Sequence, residues 1–197
     1  MAVLTVHRFP DPVLKRRALP VAAFDAALKR LAGEMLETMY VEGGIGLAAV
    51  QVGELRRLVV MDLMNGEELD GKPAPHQPRV FVNPEILQAE GEITTEEGCL
   101  SVVDFHAEVT RAARVECAYR SLTGEPKREW LEGIAAVCIQ HEIDHLNGKL
   151  FIDHLPLLKR EMVKKRLAKM RRAEGEALPD DVRIVKRGAA SKQARAL

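Results

Sequence analysis

The chain has 197 residues, enough for one domain with a sizeable core and too few for two full ones. At 47% hydrophobic and 29% charged, with a formal net charge of zero, its bulk composition singles out neither nucleic acid nor an anionic surface as a partner. No apolar run approaches the roughly 20 residues that span a bilayer, and "MAVLTVHRFPDP" lacks the charged-then-apolar order of a secretory signal. Three widely spaced cysteines, Cys99, Cys117 and Cys138, make a poor disulfide framework, so a cytoplasmic setting is expected.

The first strong element is "FDAALKRLAGEMLETMYVEGG". Leu28, Leu31, Met35, Leu36 and Met39 recur at three-and-four spacing, which predicts a helix that ends at Gly43-Gly44. A glycine-bounded apolar stretch, "GIGLAAVQVGE", follows. "RRLVVMDL" and "RVFVN" predict short strands, the second stopping at Pro84, with the polar loop "NGEELDGKPAPHQP" between them. "EGEITTEEGCLSVVDF" and "AEVTRAARVECAYRSL" predict strands joined by turns. A second helix is expected from about Trp130, and a third from Pro156 to about Arg172. The last stretch, 173–197, has no sustained period and is expected to be a flexible tail on a single domain spanning 1–172. Helix, strands, helix, helix is an α+β order.

The second helix carries "CIQHEIDHLNG". Residues four apart share a helix face, so His141 and His145 can point at one metal ion. Glu142, turned about 100° from His141, is left to hold a water and take its proton. A catalytic site of this kind needs a third protein ligand. The extended pattern HExxHxxGxxH would supply one downstream, but the chain has Phe151 where that histidine would stand. Cys99, Cys117, Cys138, His154 and a distant glutamate remain. Cys117 and Cys138 read as core or pocket lining and His154 as a surface group at a helix end. Cys99, beside Gly98 in "TTEEGCLS", is favoured modestly.

Three segments, "GIGLAAVQ" at 44–51, "EGCLS" at 97–101 and "QHEIDHLNG" at 140–148, together resemble the three motifs of the peptide deformylases. "RFPDPVLKRRALPV" and "GKLFIDHLPLLKR" extend the resemblance to about Arg172. It implies an α+β fold of antiparallel sheets packed around a central HExxH-bearing helix, with an additional C-terminal helix. It also implies removal of the N-formyl group from the formyl-methionine of nascent polypeptides. The implied metal ligands are Cys99, His141 and His145, holding Fe(II), with Zn, Ni or Co as substitutes. Glu142 is the implied base, and the Gln51 side chain and the Leu100 N–H are the implied oxyanion donors. The substrate groove is implied at Gly44, Ile45, Gly46, Glu97 and Gly98, and the methionine pocket at Ile45, Ile134, Val137 and Cys138. An ion pair between Glu97 and Arg111 is expected to brace Cys99. Val103 stands where the family usually has proline, which is expected to reshape the groove rim.

The third helix carries eight Lys or Arg against one Glu between residues 156 and 172, so the rest of this neutral chain is acidic. Leu158, Met162, Leu167 and Met170 are expected to form its apolar stripe. The opposite basic face, by the resemblance, would dock on the ribosome. Two other readings compete: a peptidase that cuts internal bonds, and a ribosome- or RNA-associated protein with a purely structural metal. The first lacks its downstream ligand, and the second has no use for Glu142 or Gln51.

Overall fold

The computed structural model describes residues 2 to 173, and the tail expected beyond them lies outside the described residues. Helix α1, Ala26–Val41, starts where the Asp25 side chain accepts the Leu28 N–H. Its buried face is Leu28, Leu31, Ala32, Met35 and Met39, with Leu36 half-buried beside them. The chain then forms a short strand β1 (Gly46–Ala48), a 3₁₀ turn (Ala49–Val52) and β2 (Leu58–Met61). The strands β5 (Arg79–Glu90), β8 (Arg114–Arg120) and β9 (Pro126–Glu132) complete an antiparallel sheet of order β1-β2-β5-β8-β9. Strand β1 therefore lies at a sheet edge.

Strands β6 (Ile93–Cys99) and β7 (Val102–Arg111) form a separate hairpin whose register shifts between Glu97 and Cys99. Helix α2, Ile134–Leu146, packs against β1, β2 and β9. Ala136, Val137, Cys138, Ile139 and Leu146 are fully buried in that interface. After α2 the chain turns at Gly148. Its φ is +73°, and a Cβ there would lie 2.5 Å from the Lys15 carbonyl oxygen, so both conformation and space require glycine. A 3₁₀ turn (Phe151–His154) leads into α3, Leu157–Ala173. Phe151, Ile152, Val163 and Leu167 cover one side of the β6–β7 hairpin, where Cys99 and Val102 are buried. The α+β class expected from the sequence is the class observed.

Several local expectations are corrected. Trp130 is in β9 and not in a helix; its ring lies under the Arg114 guanidinium, 4.1 Å away, across the β8–β9 pair. Helix α2 begins only at Ile134, after Gly133 with φ +57°. Strand β5 continues past Pro84, because the register shifts between Val82 and Glu85 and no ladder N–H is demanded of the proline. The loop before β5 contains a two-residue hairpin, β3 (Glu68–Leu69) with β4 (Lys72–Pro73). On α3, Leu158 and Met162 are 77% and 64% exposed, while Val163, Leu167 and Ala168 are buried. Leu158 and Leu167 are nine residues apart, about half a turn around the helix, so the expected stripe spans two faces and only the one with Val163 and Leu167 is buried.

Candidate active site

Helix α2 presents His141 and His145 on one face, with ring centroids 4.9 Å apart. Their Nε2 atoms approach to 3.2 Å. The Cys99 Sγ, at the end of β6, lies 3.2 Å from His145 Nε2. All three groups are buried, and their ligating atoms lie within 4.8 Å of one another. Among the described residues this is the one group of three or more such side chains placed to share an ion. Cys117 is fully buried on β8, with its thiol pushed up to about 11 chiefly by burial. His154 lies on the 3₁₀ turn, away from the cluster.

His141 is held from behind, whereas His145 Nδ1 is buried with no hydrogen-bond partner among the described residues. His141 Nδ1 is 2.9 Å from Glu97 Oε2. A carboxylate only accepts, so Nδ1 carries the proton and the Nε2 lone pair faces Cys99 and His145. Arg111, at the end of β7, donates through Nε and Nη2 to both oxygens of Glu97 and through Nη1 to Asp144. Burial opposes the charge on Glu97, but the bonds from His141 and Arg111 outweigh it and hold its carboxyl below the usual range. Burial likewise opposes ionisation of Asp144, yet His154 and Arg111 draw its pKa down to about 2. The expected Glu97–Arg111 contact is thus part of a larger group with Asp144. Removing one partner of such a buried pair typically costs about 3–5 kcal/mol, far more than an exposed pair. Phe151, which occupies the place of a downstream ligand, stacks against the His141 ring at 6.0 Å.

Glu142 is fully buried, and neither carboxylate oxygen has a hydrogen-bond partner among the described residues. Burial pushes its pKa well up, although Arg111 pulls the other way. Gly46 on β1 faces it: a Cβ there would lie 2.5 Å from Glu142 Oε1 and 2.8 Å from Cys138 Sγ. Glycine is what lets the sheet edge approach the carboxylate.

Gln51, also fully buried, is oriented by the Ala48 N–H, which donates to Oε1 at 2.8 Å. Its Nε2 then points to Ser101 Oγ, 3.2 Å away, and toward Cys99 Sγ at 3.7 Å. Leu100 is buried and its side chain lies over Gly44. Ile45, Val137 and Cys138 share one apolar cluster, while Ile134, the first residue of α2, is 48% exposed. The backbone of the Gly44–Gly46 segment is already partly engaged. The Gly44 carbonyl accepts from Asn65 Nδ2, and the Ile45 carbonyl from the Asp62 N–H. Gly98 lies under the exposed His106 ring, at the hairpin irregularity. Sequence reasoning missed Asp144, Ala48 and Ser101. Asp144 left a signal: an acid in a buried helix, three residues after His141, needs a partner.

Donor chemistry tests whether a metal fits. Burial pushes the Cys99 thiol up and the pKa of both histidines down, with the charge on His141 adding to the shift at His145. Two imidazole nitrogens and a sulfur thus converge in a buried space, beside a glutamate with no hydrogen-bond partner among the described residues. A divalent cation answers all four groups at once, and Cys₁His₂ is a donor set that suits zinc or ferrous iron.

A buried thiol and two imidazoles beside an unpaired acid, set between a sheet edge and a hairpin, define a metal-dependent hydrolase. The chain matches the model of the polypeptide deformylase family over residues 3–161. It is 49% identical to a peptide deformylase of Rhizorhabdus wittichii over 178 residues, covering 90% of this chain and all of the relative. The crystal structure of a Legionella pneumophila peptide deformylase superposes with a TM-score of 0.79 at 40% identity, covering 90% of this chain and all of that one. An Acinetobacter baumannii peptide deformylase with Met-Ala-Ser bound is 37% identical, with a TM-score of 0.70 over 78% of this chain and 99% of its own. The chain belongs to the polypeptide deformylase family, and it is an enzyme that removes the N-formyl group from nascent peptides. Among its described residues no helix is long and apolar enough to cross a membrane.

Proposed function

We propose that Cys99, His141 and His145 hold one divalent ion, Fe(II) in the cell, and that Glu142, Gln51 and Leu100 carry out the hydrolysis beside it. The observation that carries this reading is the convergence of the Cys99 Sγ and the two Nε2 atoms next to the unpartnered Glu142 carboxylate. An ion held there by Cys99, His141 and His145 would supply Lewis acidity to the formyl carbonyl and to a water. Glu142 accepts the proton from that water as oxygen adds to the formyl carbon. The Gln51 Nε2–H and the Leu100 N–H donate to the oxyanion that develops. As the C–N bond breaks, Glu142 returns the proton to the departing amine, and formate and a free N-terminal methionine remain.

The open edge of β1 can accept the peptide as an added strand, with Gly44, Ile45 and Gly46 on one side and Glu97 and Gly98 on the other. Glu97 acts there from behind the groove, through His141. Ile45, Val137 and Cys138 form the floor of the methionine pocket, and Ile134 its solvent-facing rim. The Met-Ala-Ser ligand of the Acinetobacter relative fits a pocket of this kind. Protein purified without oxygen should carry close to one iron per chain and release formate from formyl-Met-Ala-Ser. A chelator should abolish both, and Fe(II) should restore both. Full activity in protein that carries zinc and no iron would overturn the Fe(II) assignment.

The outward face of α3 supports docking on the ribosome. Leu158 and Met162 are exposed there, and Lys165 and Arg166 are exposed beside them. Phosphates of ribosomal RNA would meet such a face with salt-dependent affinity. Reversing two charges, Lys165→Glu with Arg166→Glu, should weaken co-sedimentation with ribosomes on the order of 10-fold. Formate release from free peptide should stay unchanged. Undiminished co-sedimentation would remove the helix from this role.

A further inference from the structure

The hydrogen bonds behind His141 run on to the surface. His141 Nδ1 meets Glu97, Glu97 holds Arg111, and Arg111 Nη1 donates to Asp144 Oδ2 at 2.9 Å. That same Asp144 oxygen meets His154 Nε2 at 2.7 Å. The exposure of these side chains rises along the chain of contacts, from 1% at His141 and 4% at Arg111 to 36% at His154. The five residues come from α2, β6, β7 and the 3₁₀ turn, so the contacts also join three separate parts of the fold.

We infer that His154 is a positioning residue for His141, acting through Asp144, Arg111 and Glu97. The Arg111 guanidinium is gripped at both ends, by a fork to Glu97 and a single bond to Asp144. The planar guanidinium transmits orientation, because turning one end turns the other. Asp144 is the outermost carboxylate of the pair and the one that could swing toward solvent. His154 occupies the oxygen that Arg111 needs and holds it in place. A histidine metal ligand is oriented by the acceptor on its other nitrogen, and here that acceptor is itself oriented from the surface. An exposed His–Asp contact alone contributes little to stability. The effect of His154 is therefore expected on the metal and not on the fold.

This inference rests on the reading that His141 is a ligand, and the experiment separates the two. The probe is Co(II), loaded into the full chain, with its visible absorption followed during transfer to excess chelator. His154→Phe keeps a ring but removes the donor, whereas His154→Gln places an amide near the position of Nε2. His154→Phe should release cobalt roughly 3- to 10-fold faster, a weaker effect than loss of a group that touches the ligand directly, and should shift the absorption bands. His154→Gln should stay within about twofold of the parent, and both variants should melt with the parent in the metal-free form. In an Asp144→Asn background, His154→Phe should add nothing. A parental rate and spectrum for His154→Phe, equal acceleration in both variants, or full additivity with Asp144→Asn would each overturn the inference. Cys99→Ser is measured alongside. If it keeps cobalt with unchanged bands, the ligand reading fails; if it loses cobalt while His154→Phe is silent, only the positioning role fails.

Discussion

Glu142→Gln should lower kcat/KM for formyl-Met-Ala-Ser by about 10³-fold, equivalent to about 4 kcal/mol of barrier. The substitution keeps the shape of the side chain and its fit against Gly46 and Cys138, and removes only the capacity to accept a proton. Burial raises the carboxyl's pKa, which makes it a stronger base than an exposed glutamate once it has given up its proton. The amide is neutral and nearly the same size as the carboxyl, so melting temperature should change little. Metal content should also hold, because the three proposed ligands are untouched. Glutamine is preferred to alanine, which would open a cavity beside Cys138 and confuse loss of chemistry with loss of packing. Formate release from metal-replete protein is the measurement, and activity within tenfold of the parent would remove Glu142 from the proton path.

Why this site could be read from the sequence at all is a matter of spacing. His141, Glu142 and His145 are within one helical turn or so, and a helix converts that spacing into a shared face. Leu28, Leu31, Met35 and Met39 were legible for the same reason: local periodicity predicts which side of α1 is buried. Cys99 was legible only weakly from its own neighbours, because its approach to His145 depends on how a hairpin packs on a helix 46 residues away in sequence. The resemblance to known motifs supplied that link. The failures share one cause. Trp130 and Leu131 are separated from α2 only by Glu132 and Gly133, and pairing with β8 is what makes them strand. Pro84 marks a strand end by local rules, but a bulge against β8 absorbs it. His154 is at the surface as expected, but its contact with Asp144, made across the turn at Gly148, was not legible. In each case the deciding contact is made by tertiary packing, which local pattern does not encode.

Gln51 tests the other half of the chemistry. Its amide oxygen is committed to the Ala48 N–H at 2.8 Å, so the NH₂ group has only one way to point. That direction is toward Cys99 and Ser101, across the cluster of proposed ligands. A donor fixed before substrate arrives costs no reorganisation when negative charge develops on the formyl oxygen, and loss of one such donor typically lowers kcat by about 10²- to 10³-fold. Gln51→Leu should therefore lower kcat by about 10²-fold or more while KM changes little, since the ground-state carbonyl carries far less charge than the oxyanion. Leucine also leaves the Ala48 N–H and Ser101 Oγ without this partner, so some loss of melting temperature should accompany it. Gln51→Glu separates the two effects. It keeps an acceptor for Ala48 but replaces the donor with negative charge, so its kcat should fall at least as far as that of Gln51→Leu. A rise in KM at parental kcat in both variants would make Gln51 a ground-state binding group and leave the oxyanion to the Leu100 N–H.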